Sequence, residues 1–544
     1  MADPADRAET ASARRNTPAR LTALIVGAGP TGLVLACELA RHGVSFRLIE
    51  ATAGAQLGSR GKGLQPRSLE VLDDLGIGPL IRSSGWLGMP IRSVAVDGSV
   101  SWGGAIPECL QNRPDIPYPA SLITPQWRVE EALRTRLTEL GGTVEFGTAL
   151  EGFEQSDDAV HARVVSRGVA GTIDAQWLIG CDGGHSIVRK HAGMAFDGET
   201  RENVRMVVAD VKVDGLDRDG WTMWHHPEGM VTLCPLPSTD TFCYQALVAE
   251  GEDPRSDLAS MQSTLERRSG RRDIRLYDPQ WSSLWRANVR IVDHYRAGRA
   301  LLAGDAAHIH SPAGGQGMNT GIQDAYNLGW KLAAVDHGAS PALIDSYQDE
   351  RRPVAAGVLT LSDTRLRQAL AQQDIRRDAS TIQLDVNYRG SSLSSDDRPA
   401  DAPVRAGDRA PDATMIRTAD GVHRLFDLIG GGIFTLLNFT GTAAAIDSVA
   451  PPILDRPSSG GRATSLRTGQ IGARLRTLDI VDHPTVGQQI ADDGGHLSTA
   501  YQPTEHTLVL IRPDGYIGLI SDVGDVSAVT AYLDQISRAS AVGV

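Results

Sequence analysis

The sequence predicts an α/β protein: a parallel-sheet domain that receives an inserted antiparallel sheet and is followed by a second, smaller α/β domain. Residues 21–50 follow the order strand, glycine turn, helix, strand. Between 200 and 290, strand-like runs alternate with Gly, Asp and Pro turns, which indicates an antiparallel sheet. After a polar stretch at 387–412, the tail returns to an α/β pattern. A chain of 544 residues has room for about three such domains.

The stretch LTALIVGAGPTGLVLACELARHGVSFRLIE, residues 21–50, explains the parallel-sheet prediction. Gly27, Gly29 and Gly32 have the spacing G-x-G-x-x-G between an apolar strand and an amphipathic helix. In a Rossmann-like unit these glycines permit the tight turn, the approach of a pyrophosphate and close helix–strand packing. Glu50 ends the second strand where an acid that binds ribose is expected. The segment therefore predicts a dinucleotide-binding unit.

Composition narrows the remaining function classes. The net charge of -13 argues against nucleic acid or an anionic membrane as the main partner. Five cysteines without a C-x-x-C pair indicate a reduced cytoplasmic protein, in which a metal site is not expected. Residues 1–19 lack hydrophobic periodicity and are expected to form a disordered tail.

Two further glycine-rich loops follow apolar strands. Asp182 and Gly183 end the strand in WLIGCDGGHSIVRKHAG, residues 177–193, and could form a second backbone contact with a cofactor. Residues 298–335 contain a strand, then Asp305, a glycine-dense loop and a helix beginning near Met318. Asp305 is well placed to accept a hydrogen bond from a ribitol or ribose hydroxyl. Several glycines in such a loop favour close approach of the backbone to a ligand.

The segment 59–77 leaves two interpretations open. Arg60, Lys62 and Arg67 lie among glycines before a predicted helix, and they suit either a solvated loop or a lining for an anionic cofactor. Another amphipathic helix is predicted at 127–140. Residues 90–119 are expected to join the sheet at 200–289, which would cover one side of the cofactor site.

Together the motifs GAGPTG (27–32), CDGGHSIVR (181–189) and GDAAHIHSPAGGQGMN (304–319) resemble the signatures of class A flavoprotein aromatic hydroxylases, which share the p-hydroxybenzoate hydroxylase fold. The resemblance covers roughly 20–380. Residues 406–415 and 509–520 are similar to the thioredoxin-like C-terminal domain of phenol hydroxylase, aromatic polyketide hydroxylases and rifampicin-type monooxygenases, without its cysteine pair. That absence suggests a structural or assembly role.

This resemblance implies a division of the chain into alternating segments. The FAD-binding domain would comprise 20–89, 120–199 and 290–386, and the substrate domain 90–119 and 200–289. Residues 387–412 would be a linker and 413–544 the thioredoxin-like domain.

It also implies FAD as cofactor and NADPH or NADH as co-substrate, together with a set of cofactor-binding residues. Gly27, Gly29 and Gly32 would hold the pyrophosphate and Glu50 the adenosine ribose, while Asp305 would bind the ribityl chain. The other expected contacts are Arg60, Gln126, Asp182 and Gly183, with Pro312, Gly315, Gly317, Met318 and Asn319 near the flavin ring.

The activity implied is hydroxylation of a bulky polycyclic aromatic, in particular a polyketide, by O₂ through a flavin C4a-hydroperoxide. Baeyer–Villiger oxygen insertion and inactivation of an antibiotic stay open on the same fold, as does a non-catalytic flavin-binding assembly partner. Monomer and homodimer are both compatible with the sequence. His225, His226 and Tyr244 are candidates for a catalytic base by residue type and region only. His308 and His310 lie near the flavin loop, where capping that loop is the simpler role.

Overall fold

A computed structural model of the chain describes residues 21–59, 61–104, 106, 108–249, 251–310, 315–370, 381–440, 466–467 and 474–538. The predicted tail at 1–19 lies outside these residues. A mainly parallel sheet forms the centre of the first part, and the predicted fingerprint strand lies inside it. Its strands, in spatial order, are Arg296–Ala297, Ala300–Leu302, Val169–Gly180, Leu21–Val26, Phe46–Glu50 and Val144–Phe146, with Thr148–Gln155 and Val160–Ser166 added as an antiparallel extension.

Helices cover the parallel sheet. They are Pro30–Arg41, Pro66–Asp74, Gly78–Ser83, Gln126–Glu139, Ile187–His191, Gly317–Asp336 and Asp345–Leu370. The helices Pro30–Arg41 and Gly317–Asp336 pack closely because Gly329 has no side chain. A Cβ there would lie 2.6 Å from Cβ of the buried Glu38. This contact fixes the helix that follows the third glycine loop against the helix that follows the first.

The inserted part is an eight-stranded sheet, mostly antiparallel. Its strands, in order, are His308–Ile309, Arg275–Val292, Phe196–Asp214, Thr241–Leu247, Val231–Pro235, Trp221–Trp224, Ile91–Val94 and Val100–Gly103. The last two strands come from the 90–119 segment, and Ile91–Val94 pairs in parallel with Trp221–Trp224. Gly63–Leu64, Leu122–Ile123 and Trp86–Leu87 form a small separate sheet.

Side-chain alternation gives the inserted sheet two different faces. Val207, Ala209 and Val211 pack with the helix Leu258–Ser269 on one face. Met206, Val208, Cys234 and Cys243 lie on the other face, packed with Met89 and Ile123 and contacted by partly buried tryptophans. We call this second face the tryptophan face; its tryptophans are Trp86, Trp221, Trp281 and Trp285.

The C-terminal part is built on a third sheet. Its strands, in order, are Ser395–Asp396, Ile517–Ser521, Leu508–Ile511, Phe434–Asn438, Arg474–Ile480, Gln489–Asp492, Ile416–Thr418 and Gly421–His423, with Leu466–Arg467 paired to Arg474–Ile480. Its helices are Leu425–Ile429, His496–Tyr501 and Val526–Arg538. The thioredoxin-like assignment of this part stays a prediction. Nowhere in the described ranges does a helix combine the length and apolar character needed to cross a bilayer.

Buried ion pairs join the C-terminal part to the first part. Arg512 donates to both carboxylate oxygens of Glu350 at 2.7 and 2.8 Å, and to Asp514 at 2.6 Å. Lys331 donates to Glu350 at 2.7 Å, and none of these four side chains is more than 1% exposed. The two parts therefore share one polar interior.

The segment 387–412, which its composition marks as a linker, is fixed by contacts on both sides. Ser395–Asp396 adds an edge strand to the C-terminal sheet by pairing with Ile517–Ser521. Arg409 is buried and donates to Glu70 of the first part at 2.8–3.0 Å. The segment therefore pairs with the C-terminal sheet, and Arg409 links it to the first part.

Candidate cofactor and substrate site

The three glycine loops meet at one edge of the parallel sheet. They follow Leu21–Val26, Val169–Gly180 and Ala300–Leu302, which are neighbours in the sheet and run parallel. Main-chain hydrogen bonds tie the strand ends together, from Cys181 N to Val26 O at 2.8 Å and from Ala303 N to Gly180 O at 3.0 Å. The carboxyl ends of parallel strands are where open α/β sheets bind ligands.

The first loop shows a separate physical reason for each glycine. Gly27 has φ +101°, and a Cβ there would collide with the main chain of Cys181. A Cβ on Gly32 would collide with the carbonyl oxygen of Gly27. At Gly29, by contrast, no described protein atom lies within 4 Å of the position that a Cβ would take. Gly27 and Gly32 are thus required by the fold, whereas Gly29 faces open space.

Glu50 braces this turn. Its Oε2 accepts a hydrogen bond from Ala28 N–H at 2.9 Å, and its Oε1 accepts from the N–H and hydroxyl of Thr52, both at 2.9 Å. An ionised carboxylate has about four acceptor positions, so one remains for a further hydroxyl donor. Glu50 therefore lies at the fingerprint turn with its acceptor oxygens held in place.

In the second loop, Asp182 is held by one oxygen only. Its Oδ2 accepts from Ile187 N–H at 2.7 Å and Val188 N–H at 3.2 Å. Its Oδ1 is buried and has no hydrogen-bond partner among the residues that the structure describes, and burial raises the pKa of this carboxyl group. Gly183 has φ +74° with no described atom within 4 Å of its Cβ position. The loop thus combines an unused acceptor with an open main chain.

The third loop leads into the long helix Gly317–Asp336. Asp305 is exposed on the short turn Gly304–Ala306. Asn319 accepts from Gln65 N–H at 2.8 Å through Oδ1, and it donates to the carbonyls of Gly63 and Gly315 at 2.9 and 2.7 Å. The start of this helix is therefore fastened to residues 63–65. Pro312 lies outside the described residues, as does Arg60.

Hydrogen bonds also hold Gln126 in place beside the start of the long helix. Gln126 accepts from Gly61 N–H at 3.0 Å and donates to Glu130 at 2.8 Å. A Cβ on Gly61 would meet Met318 Cε at 3.5 Å. The structure thus brings Gln126, Met318 and Asn319 to one strand-like segment beside the third loop, as expected for residues sharing a site.

Arg67, one of the three cations in 59–77, belongs to neither interpretation suggested by the sequence. It is buried, donates to Glu70 at 2.7 Å and to the carbonyl of Asp514 at 2.6 Å, and lies 4.9 Å from the centre of the Tyr516 ring. Its role is to join the two parts of the chain. Asp514 and Tyr516 lie more than 440 positions away from Arg67, so no local sequence pattern could indicate these contacts.

The candidate catalytic bases Tyr244, His225 and His226 do not share one location. Tyr244 is buried beneath the helix Leu258–Ser269, with its hydroxyl 3.4 Å from Met261 O, and burial raises its pKa. It therefore points away from the tryptophan face. The ring of His225 bonds to Ser93 Oγ at 2.8 Å, and His226 Nδ1 accepts from Glu228 N–H at 3.2 Å. Each of these histidines therefore has a hydrogen-bond partner within the inserted part.

A series of buried, hydrogen-bonded polar side chains lies behind the third loop. The sequence analysis singled out only its two histidines, His308 and His310. His308 Nε2 lies 2.6 Å from Asp324 Oδ2, and its Nδ1 lies 2.9 Å from His310 Nε2. Arg351 donates to Asp324 Oδ1 at 2.8 Å. Burial alone would raise the pKa of Asp324, but His308 and Arg351 lower it to about 2. Burial also lowers the pKa of His310 well below its ordinary value.

The tryptophan face supplies a polar group that sequence reasoning missed. Asp210 is 3% exposed and lies opposite Trp281 in the strand register, so both side chains project from the same face. Ser59 N–H donates to Asp210 Oδ2 at 2.9 Å, which joins this face to the segment before Gly61. Burial raises the pKa of Asp210. The inserted sheet thus presents an aromatic ring to Gly58 and a carboxyl group to Ser59.

Known proteins match this arrangement. Residues 20–362 match the family model described as FAD binding domain. The chain is 41% identical to a flavin-dependent monooxygenase of Mycobacteroides abscessus, over 95% of this chain and 100% of that protein. It is 32% identical to 6-methylpretetramide 4-monooxygenase of Streptomyces rimosus, over 94% and 93% of the two chains.

A solved structure shows the same fold with its ligands. Aklavinone-11 hydroxylase in complex with FAD and aklavinone superposes with a TM-score of 0.78 at 26% identity, over 95% of this chain and 98% of that chain. The matched regions include both sheets of the first part and extend into the C-terminal part. The chain therefore belongs to the FAD binding domain family, and it is an FAD-dependent monooxygenase of the aromatic hydroxylase type.

Proposed function

We propose that the chain uses NAD(P)H and O₂ to hydroxylate a polycyclic aromatic substrate of polyketide type. The observation that carries this proposal is the meeting of three glycine loops at one sheet edge, facing a second sheet that presents tryptophans. Such a surface suits a flat aromatic molecule, because rings bury a large apolar area and stack with preferred geometry. Relatives that act on 6-methylpretetramide and bind aklavinone support the same substrate class.

The described residues fit FAD at these loops. Gly29 and Gly183 leave main chain open where phosphates could approach, and Asp182 Oδ1 offers a buried acceptor without a protein partner in the described part of the chain. We assign the pyrophosphate to the first loop, the adenosine ribose to Glu50 and the ribityl chain to Asp305. The remaining assigned contacts are Arg60, Gln126, Gly183, Pro312, Gly315, Gly317, Met318 and Asn319.

For the domains, we propose the boundaries that the family resemblance implies. We assign 20–89, 120–199 and 290–386 to FAD binding, 90–119 and 200–289 to the substrate, and 413–544 to a thioredoxin-like domain attached through 387–412. We also place the enzyme in the cytoplasm, which agrees with the free state of all five cysteines.

The bound flavin supplies electron transfer from the nicotinamide and the activation of O₂. The chain's own residues bind, orient and shield. The N-terminal end of Gly317–Asp336 has no side-chain cap among the described residues and carries the positive end of a helix dipole, so it would favour negative charge on a flavin held by the third loop. The tryptophan face would orient a bound aromatic substrate and shield it from water.

A glycine substitution tests the cofactor assignment. Gly29→Ala adds a methyl group toward open space, so the fold should be kept while FAD affinity falls about tenfold or more, through obstruction of the pyrophosphate. Gly357→Ala is the matched control, since Gly357 is exposed in the helix Asp345–Leu370 and has no atom within 4 Å of its Cβ position. Flavin absorbance after dialysis against known FAD concentrations measures both variants. Equal FAD affinity in the two variants would refute the assignment of the first loop.

Substrate-stimulated oxidation of NADPH and NADH, measured over a panel of polycyclic phenols, tests the reaction. Products are analysed by mass and NMR, which separate hydroxylation from oxygen insertion into a ring. An enzyme that holds FAD but shows no stimulated oxidation with any polycyclic phenol would refute the proposed substrate class.

A further inference from the structure

Residues 58, 59 and 61–63 lie between the cofactor loops and the tryptophan face. Gly61 lies against Met318, and the Gly63 carbonyl accepts from Asn319 at 2.9 Å. Gly58 packs against the Trp281 ring, where a Cβ would lie 2.7–2.8 Å from the indole carbons. Lys62 lies between these contacts along the chain, and its side chain reaches the inserted sheet at Gln245.

Lys62 is a partly buried cation in an unusual setting. Its Nζ donates to Gln245 Oε1 at 2.7 Å, lies 3.6 Å from Cys243 Sγ and is 4.5 Å from the centre of the Trp221 ring. No carboxylate of the described residues lies within ion-pair distance of this ammonium group. Lys212 and Lys331, by contrast, each pair with a carboxylate, at 3.1 Å to Asp240 and 2.7 Å to Glu350. A partly buried cation without an ion-pair partner among the described residues favours binding of an anion.

Asp210 adds a second polar group on the same face. Its Oδ2 accepts from Ser59 N–H, while its Oδ1 is buried without a hydrogen-bond partner in the described part of the chain. The charge of Lys62 partly offsets the effect of burial, which raises the pKa of Asp210. Among the described residues, the titratable groups that face Lys62 include Asp210 and the Cys243 thiol, whose pKa burial also raises.

The apolar surround suits a flat ring system. Trp285 lies opposite Met206 in the strand register, and Trp281 lies opposite Asp210, so the indoles flank the polar groups on one face. A polycyclic molecule lying on this face could place one oxygen at Lys62 and a neighbouring hydroxyl at Asp210. An isolated inorganic anion would gain nothing from the tryptophans.

We propose that Lys62 binds the ionised phenol or enol oxygen of the aromatic substrate and that Asp210 accepts a hydrogen bond from an adjacent hydroxyl. The inference rests on the proposed function and narrows its substrate class to polycyclic aromatics with an acidic hydroxyl beside a second one. The phenolic proton passes to solvent, and the ammonium group stabilises the remaining oxygen anion. The ionised ring is richer in electrons and more reactive toward an electrophilic oxygen, so the group that activates the substrate is this cation.

The test uses the FAD-loaded enzyme and alizarin, a dihydroxyanthraquinone that changes from yellow to red when its phenol ionises. Wild-type enzyme should bind alizarin as the anion, with its ionisation midpoint at least about one pH unit below that of free alizarin, which is a tenfold preference. Lys62→Met should abolish this shift and weaken binding about tenfold or more, whereas Lys62→Arg should keep most of both. Lys212→Met, which removes an ion-paired lysine of the same sheet, should behave as wild type.

FAD content is measured in every variant, so that a failure of the Lys62 assignment can be distinguished from a failure of the proposed function. An enzyme that takes up no FAD overturns the proposed function, whatever its alizarin spectrum. A Lys62→Met enzyme with normal FAD content and an unchanged alizarin midpoint overturns the assignment of Lys62. A Lys62→Met enzyme in which only the KM for NADPH rises also overturns it, because the cation would then serve the nucleotide.

Asp210 is tested with a pair of ligands. Asp210→Asn should weaken binding of alizarin several-fold and leave 2-hydroxyanthraquinone, which keeps the acidic hydroxyl but lacks the adjacent one, unaffected. Equal weakening of both ligands would show that Asp210 maintains the shape of the face and does not contact the substrate.

Discussion

Arg512 offers the most quantitative test of how the C-terminal part is held. Its guanidinium group makes two hydrogen bonds to Glu350 and two to Asp514, at distances of 2.6–3.1 Å. The Arg512 side chain is fully buried, and Glu350 and Asp514 are no more than 1% exposed. Substitution Arg512→Met keeps much of the side-chain volume but removes the cation and all four hydrogen bonds.

After that substitution, two buried carboxylates remain, with Lys331 as the nearest cation. Burial by itself would raise the pKa of Glu350, and Arg512 and Lys331 together hold it below its ordinary value, so the loss of Arg512 exposes the full desolvation penalty. Removal of one partner from a buried ion pair costs about 3–5 kcal/mol. At about 3 °C per kcal/mol for a unit of this size, the unfolding transition of the C-terminal part should fall by roughly 10–15 °C.

Calorimetry and limited proteolysis of the FAD-loaded enzyme measure this effect, with cleavage expected first within the C-terminal part. The matched control is Arg389→Met, which removes an arginine that is 41% exposed and makes two hydrogen bonds to Asp408 at 2.6 and 2.8 Å. Exposed pairs contribute at most about 1 kcal/mol, so the control should shift the transition by about 3 °C or less. Equal shifts in the two variants would show that burial of the junction does not stabilise the fold.

Three further predictions address other parts of the molecule. Gly32→Ala should reduce both stability and FAD content, because a Cβ there collides with the Gly27 carbonyl; a variant with wild-type melting behaviour would contradict this. The native pKa of Asp324, about 2, lies below its ordinary value of 3.8, so its contribution is complete above pH 4 and is lost as the pH falls toward 2. Denaturant titrations should find that Asp324→Asn removes roughly 2 kcal/mol of this acid dependence, and an unchanged pH profile would refute the shift. Cys109 is the exposed cysteine, so Cys109→Ser should remove the fast phase of thiol labelling by a disulfide reagent; persistence of that phase would refute its assignment.

Much of the cofactor site was predictable from the sequence because it is local. The order strand, glycine turn, helix, strand and acid is contained in residues 21–50, and Gly27 and Gly32 are each needed by a contact within that unit or with an adjacent strand end. The three loops could be predicted to meet because each follows an apolar strand, and parallel strands place their carboxyl ends at one edge. The strand-like runs between 200 and 290, separated by Gly, Asp and Pro turns, also predicted the inserted sheet.

The remainder depends on contacts between residues far apart in the chain. Arg67 has the same sequence context as Lys62, yet one faces Asp514 and the other faces Gln245. Asp210 reads as one polar residue in an apolar strand, and only the register with Trp281 shows that it shares the tryptophan face. Likewise, the composition of 387–412 is typical of a flexible spacer. Its four arginines are instead ion-paired, and composition cannot distinguish these two states.

The long helix Gly317–Asp336 shows why the C-terminal part matters to the site, although it lacks cysteines for redox chemistry. The first turn of the helix holds Met318 and Asn319 beside the third loop, while Trp330 and Lys331, farther along, lie in the buried junction. One rigid element therefore connects the cofactor loops with the C-terminal sheet. Lys331 has its pKa lowered to about 8 by burial and is charge-compensated by Glu350, which Arg512 in turn neutralises. Since this compensation needs residues from both parts, the C-terminal part completes the interior of the enzyme and fixes the helix that borders its cofactor site.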